Sequence, residues 1–289
     1  MAIIYNIQEC MNEAQKSMDE VAYLKNEKVV WNSFYLGFEY QFCWSSNSLE
    51  GNTLSLDETI AVVDFDEVSS GHSFHEYKEA KNLYQAIKNM QLTGVIITED
   101  WIKRINGIIM GTDGDYRTED VFIGNAIEAV YYPPHYTNIS ALMCEYTKQI
   151  MKLNNFHDIV YTVAKKHIDF ERIHPFKDGN GRTGRIILNQ MLMNYGLLPI
   201  AISPKSKYRK AFVVYDKNQD DSIMVCLLCE ALKESAELLL EYSKKRSLDQ
   251  RNMQSTEKEN SIITKLQSKD EILKAVSRSH SKNKDEIER

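Results

Sequence analysis

The sequence predicts a mainly α fold, a helical bundle carrying one small β-hairpin, and three observations lead there. Apolar residues recur three and four apart over most of the chain. One segment after residue 180 is apolar nearly all round, as a helix in the middle of a bundle must be. The β-like pattern is confined to two short runs near residues 121–132, closed by Pro133-Pro134.

The 289 residues are 43% hydrophobic, enough to bury a substantial core in one large domain or a domain with an appendage. Apolar runs stay well below the roughly eighteen residues needed to span a bilayer. Met1-Ala2-Ile3-Ile4-Tyr5-Asn6 lacks the blocks of a secretory signal, so no membrane association and a cytoplasmic location are expected. Cys10, Cys43, Cys144, Cys226 and Cys229 are odd in number and sit among apolar neighbours, which predicts reduced core thiols. The net charge of -6 gives no general attraction to nucleic acid, so any phosphate site has to be local.

Taken in order, Val21, Leu24, Val29 and Val30, then Phe34, Leu36, Phe38, Phe42 and Trp44 mark N-terminal helices. The second of them stops at Glu50-Gly51, where Gly51 suits a left-handed cap. Residues 54–70 give mixed signals and Gly71 marks a break; Tyr77, Ala80, Leu83, Tyr84 and Ile87 place a helix over about 74–91. A helix at Trp101–Met110 ends in the turn residues Gly111-Thr112-Asp113-Gly114-Asp115. Val121-Phe122-Ile123 and Ala129-Val130-Tyr131-Tyr132, separated by a loop beginning Gly124-Asn125, form the hairpin. Phe156, Ile159, Val163, His167, Phe170 and His174 share one helix face, and Pro175 puts His174 at its end. The all-round apolar helix runs from Arg182 or Thr183 to Tyr195, and another apolar helix covers about 221–242. Beyond Tyr242 the chain is polar and without aromatics, with Ile262, Leu266, Leu273 and Val276 allowing one weakly amphipathic helix.

The chemistry concentrates in residues 174–185, His-Pro-Phe-Lys-Asp-Gly-Asn-Gly-Arg-Thr-Gly-Arg, between two helices. Gly179 and Gly181 lack a Cβ and permit positive φ, so successive N–H groups can surround an anion, and the following helix start adds its unpaired N–H groups. Arg182 and Arg185 lie three apart on one face; two such cations crowded at a helix start are unfavourable unless a di- or triphosphate joins them. Asp178 beside phosphates calls for a divalent cation such as Mg²⁺. His174 titrates near neutrality and can accept a proton from an attacking hydroxyl.

These twelve residues resemble the signature of the Fic family, His-x-Phe-x-(Asp or Glu)-Gly-Asn-Gly-Arg-x-x-Arg, without a departure. The intact Gly-Asn-Gly-Arg separates the chain from the Doc branch and implies transfer of AMP from ATP to a Ser, Thr or Tyr hydroxyl of a protein. By that resemblance His174 is the general base and Asp178 the Mg²⁺ ligand. Gly179, Asn180, Gly181, Arg182, Gly184 and Arg185 hold the nucleotide, with the γ-phosphate on Arg185. Tyr208 falls where an adenine-pocket aromatic is often found. Residues 116–134 look like the family's flap, against which a target segment adds as a strand, presenting Val121, Ile123, Val130, Tyr131 and Tyr132.

Ser46-Asn47-Ser48-Leu49-Glu50-Gly51 is similar to the family's inhibitory motif, (Ser or Thr)-x-x-x-Glu-(Gly or Asn). Glu50 at a helix C-terminus faces the negative end of the macrodipole and seeks a cation, while Ser46, one turn earlier, shares its face. The resemblance implies that Glu50 pairs with Arg185 and obstructs the γ-phosphate. The expected organisation is N-terminal helices over 1–70 with the inhibitory helix at about 31–50, a core over 71–242, and a polar tail or small helical extension over 243–289. Two other readings stay open: the same fold removing AMP, and a nucleotide-sensing protein that binds a partner through the tail near Lys244-Lys245-Arg246. The identity of the target, self-modification and a homo-oligomer are not decided by sequence.

Overall fold

The computed structural model describes residues 6–248, apart from 69, 92, 125–128, 149–152, 154 and 204. The fold is mainly α. Its helices are α1 (Ile7–Val21), α2 (Lys28–Glu50), α3 (Leu56–Phe65), α4 (Phe74–Ile87), α5 (Glu99–Met110), α6 (Ile139–Lys148), α7 (Phe156–Ile173), α8 (Asn180–Asn194) and α9 (Lys205–Asn218). Residues 222–248 form α10. Among the described residues one antiparallel hairpin pairs β1 (Ile123–Gly124) with β2 (Ala129–Tyr131). The chain divides into two compact units, Met1–Leu240 and Glu241–Arg289, and the site described below lies in the first. No helix among the described residues is long and apolar enough to cross a membrane.

The bundle is organised around α8. Among its residues only Gly181 and Asn194 are not buried, as the continuous apolar run through Ile186, Ile187, Leu188, Met191, Leu192 and Met193 requires. Each such side chain removed from water contributes roughly 1.5–3 kcal/mol before entropy is counted. α7 packs on it closely because residue 184 is glycine: a Cβ there would stand 2.9 Å from Phe170 Cδ1 and 3.3 Å from His167 Cε1. The register of these two helices sets the turn 174–179 between them.

α2 is stopped by Gly51, which takes φ 108° and returns its N–H to the Asn47 and Ser48 carbonyls. That left-handed cap places Glu50 at the helix end, facing the turn before α8. The segment after it is tied down by Asn52, whose side chain donates to the Glu76 carbonyl and to Glu79 of α4.

Several expectations are corrected. The mixed stretch 54–70 contains α3, whose Ser55 and Glu58 form a reciprocal capping box that a ten-residue helix makes good use of. α6 and α9 occupy stretches to which the sequence assigned no element. α8 starts at Asn180, two residues early, since Gly179 at φ 76° already turns the chain into the helix. The cysteines are not all reduced: Cys10 of α1 is bonded to Cys226 of α10, with Cα atoms 5.4 Å apart, while Cys43, Cys144 and Cys229 are free. The bridge joins positions 216 residues apart, which their local apolar surroundings do not reveal. Asn125 and the weak helix expected around 262–276 lie outside the described residues.

Candidate active site

The turn 174–179 owes its shape to three features of its sequence. His174 itself caps α7 in the left-handed region, at φ 48° and ψ 60°, with its N–H on the Phe170 carbonyl. Asn180 then staples the turn: its Oδ1 accepts the Phe176 N–H at 2.9 Å and its Nδ2 donates to the Phe176 carbonyl at 2.8 Å. Asn106 of α5 supports the other side, donating to the Asp178 carbonyl and to Thr183 Oγ1. A Cβ on residue 179 would meet Met110 Sδ at 2.8 Å and Asn106 Nδ2 at 2.9 Å, so glycine is required there by space as well as by φ.

A cavity of about 470 Å³ opens beside this turn, with Glu50, Ile123, His174, Gly181, Arg185 and Tyr208 in its walls. His174 is largely buried in its wall. Burial lowers the His174 pKa to about 4, against the pull of the Glu171 backbone and with help from the Arg117 and Arg172 charges. The imidazole is therefore neutral at pH 7, the form that accepts a proton.

Arg185 is almost completely buried and held from α2: its Nε donates to Ser46 Oγ at 2.8 Å, and its Nη2 donates to the Ser46 carbonyl at 2.9 Å and to Glu50 Oε1 at 2.6 Å. Burial disfavours the guanidinium charge, but Glu50, with Tyr208 and Glu171, outweighs it and raises the Arg185 pKa above its ordinary value. The Glu50 carboxylate also lies over the first turn of α8, since a Cβ on residue 181 would sit only 2.2 Å from its Oε1. First-turn N–H groups lack partners within the helix and carry partial positive charge. Glu50 thus places its carboxylate close to Gly181 in that first turn while bonded to Arg185.

Arg182 points to the other side, where its Nη1 donates to Glu79 Oε1 at 2.9 Å. Asp178 is largely solvent-facing, with Oδ1 accepting the Gly179 N–H and 3.9 Å from Arg182 Nη2. An exposed single carboxylate at the rim fits the Mg²⁺ habit of using one carboxylate together with phosphate oxygens and water. The Tyr208 hydroxyl is 2.8 Å from His167 Nε2 and accepts from Arg185 Nη1 at 3.4 Å, so its polar end is engaged beneath Arg185 while the residue remains in the cavity wall.

The hairpin forms one wall. Ile123 pairs with Tyr131 and Gly124 with Ala129, and a register irregularity follows Ile123. Ile123 and Tyr131 line the cavity, the Arg172 guanidinium lies 4.4 Å from the Tyr131 ring centre, Val121 is half-buried, and Tyr132 is exposed. Val130 lies in β2 between them.

Sequence reasoning missed four residues that shape this site. Arg117 is buried and bolts the hairpin to the turn, with its N–H on the Pro175 carbonyl, its Nε on the His174 carbonyl and its Nη2 on the Pro134 carbonyl. Glu79, Asn106 and Glu171 are the others. A charged or amide residue inside an apolar helix face was the available signal for the last two; nothing local marked the partners.

Comparison with known proteins agrees with this architecture. Residues 96–192 match the Fic/DOC family. Protein adenylyltransferase Fic of Nematostella vectensis is 31% identical over 174 residues, covering 56% of this chain and 39% of that protein. The Aedes aegypti protein of the same name is 29% identical over 192 residues, covering 63% and 37%. The chain thus spans about two fifths of the length of these curated relatives. Among solved structures, a Fic domain containing signaling protein from Bacteroides thetaiotaomicron superposes with a TM-score of 0.71 at 24% identity, covering 82% of this chain and 97% of that one. Residues 134–508 of Fic-1 from C. elegans give 0.69 at 20% identity, covering 83% and 73%, and these two likenesses speak for the fold. Residues 96–192 are thus similar to the Fic/DOC family, and the fold around them is that of Fic-domain structures.

Proposed function

We propose that the chain is an autoinhibited adenylyltransferase that moves AMP from ATP to a Ser, Thr or Tyr hydroxyl of a target protein. The observation that carries this reading is the arrangement of one cavity: a neutral imidazole and a buried arginine in its walls, with the protein's own carboxylate bonded to that arginine and close to the helix start. The names of the curated relatives support the same chemistry.

In this reading the target segment lies along the hairpin at Val121, Ile123 and Val130 to Tyr132, which brings its hydroxyl to His174. The imidazole takes the hydroxyl proton as the oxygen attacks the α-phosphorus, and pyrophosphate leaves. The first turn of α8, from Gly179 to Arg182, receives the phosphates through backbone N–H groups, and Arg185 meets the γ-phosphate. Asn180 contributes by holding the turn, since both polar atoms of its side chain serve Phe176. Mg²⁺ held by Asp178 would neutralise phosphate charge. Glu50 must leave Arg185 before a γ-phosphate can bind there, which makes it the brake. Gly184 serves the close packing of α7 on α8, and Tyr208 supports Arg185.

A second reading has an observation of its own: Glu50 lines the same cavity as His174, where a carboxylate can orient water for removal of AMP from a modified protein. Incubation with ATP labelled at the α- or the γ-phosphorus, with His174→Ala as control, tests the assignment. Label incorporated from the α position alone supports AMP transfer; label from γ alone would make the protein a kinase.

A further inference from the structure

Arg185 depends on α2 to an unusual degree. Ser46 and Glu50 supply three of the hydrogen bonds of a guanidinium that is 1% exposed, and Tyr208 adds a longer one. When Glu50 leaves, that buried cation loses its bonded carboxylate, and a buried charge without a counter-ion costs several kcal/mol. Something has to hold it between release of the brake and arrival of a phosphate.

Glu171 is placed to do so. It sits on α7 one turn before His174, lines the same cavity, and rests against α8, where a Cβ on residue 184 would be 2.5 Å from its Oε1. That oxygen is buried and accepts no hydrogen bond. Buried carboxylate oxygens without partners are rare and ask for an explanation. We propose that Glu171 is the standby counter-ion of Arg185, taking the guanidinium when Glu50 withdraws and keeping it turned towards the nucleotide.

The electrostatics are consistent with an exchange of partners. Burial, helped by the Glu50 charge and opposed by Arg185 and Arg172, raises the Glu171 pKa to about 7. The groups facing it are Glu50 of α2, Tyr146 of α6, His167, Arg172 and His174 of α7, Arg185 of α8 and Tyr208 of α9, with the Tyr146 pKa raised by burial. His167 and His174 are driven down to about 3 and about 4 by burial, and burial raises the Tyr208 pKa, so these three are uncharged at pH 7. Removing Glu50 deletes a repulsion and leaves the pull of Arg185 undivided. Both changes lower the Glu171 pKa, and its proton passes to solvent.

The meaning of this device rests on the brake proposed above, but its test does not. With Glu50 present, the folded-state pKa of Glu171, about 7, lies above the unfolded value of about 4.3, so stability falls as pH rises from about 4.3 to about 7 and the whole penalty is present above 7. Glu171→Gln is therefore expected to raise Tm at pH 8 in the wild-type background. In a Glu50→Gly background, where Glu171 is paired with Arg185, the same substitution is expected to lower Tm. Carbon-13 titration of the Glu171 carboxyl should show its midpoint falling by about one pH unit or more on Glu50→Gly, about 1.4 kcal/mol. An equal effect of Glu171→Gln in both backgrounds, or an unmoved midpoint, overturns the proposal. If both signs appear yet Glu50→Gly transfers AMP no faster than wild type, Glu171 keeps its role and the brake is what fails.

Discussion

Arg185 Nη2 lies 2.6 Å from Glu50 Oε1, a contact between residues 135 positions apart that closes the end of α2 onto the start of α8. The guanidinium is buried and the carboxylate partly exposed, so the exposed partner is the one that can leave. Each tenfold of inhibition requires about 1.4 kcal/mol, within reach of a pair of this kind.

Glu50→Gly should raise AMP transfer by roughly one to two decades on that arithmetic. Intact-mass measurement with saturating ATP and Mg²⁺ reads the group added, its stoichiometry and any self-modification together. Equal rates for mutant and wild type would remove the inhibitory role.

The pH profile reports on His174. Burial lowers its pKa to about 4, so the imidazole stays in its accepting form down to that pH and is lost as a base only below it. The acid limb of kcat/KM in Glu50→Gly is expected near pH 4 to 5, well under the ordinary histidine value of about 6.5. A limb at 6.5 would mean that His174 is not the titrating base. His174→Ala should abolish transfer while leaving Tm nearly unchanged.

Gly184→Ala tests the packing beneath the site. Its Cβ would meet Glu171 Oε1 at 2.5 Å and Phe170 Cδ1 at 2.9 Å. Overpacking of this sort costs about 1–3 kcal/mol. Thermal unfolding should show a loss of several degrees, and an unchanged Tm would mean that α7 and α8 separate at little cost.

Asn180→Ala removes both bonds to Phe176 and leaves a buried N–H and carbonyl unpaired. A loss of about 1–3 kcal/mol in chemical denaturation is expected, with weaker ATP binding by calorimetry. Full stability with lost ATP affinity would instead make the Asn180 side chain a direct phosphate ligand.

Legibility in the sequence followed the range of the interaction. α7 and α8 could be read because their apolar residues repeat over several turns, and Pro175 marked the end of α7, whereas the start of α8 was placed at Arg182 or Thr183, two residues late. α3 and α6 were not, since each is ten residues long and buries only three; so few positions do not establish a period. The hairpin was placed by its β-branched residues and its two prolines, though its paired strands came out shorter than the pattern. The five cysteines read alike among their apolar neighbours, and only the packing of α1 on α10 singles out Cys10 and Cys226 as the bonded pair.

The sequence by itself determined the mainly α architecture and the turn around Asn180, because each depends on neighbours within a turn or two of the chain. Tertiary structure alone decided that Asn180 spends its side chain on Phe176, that Arg182 belongs to Glu79, that Arg117 bolts the hairpin to His174, and that Glu171 Oε1 is buried without a hydrogen-bond partner in the cavity Arg185 lines. Those pairings join segments brought together only when apolar faces are buried against α8, and residue spacing carries no record of which distant carboxylate a buried cation will meet.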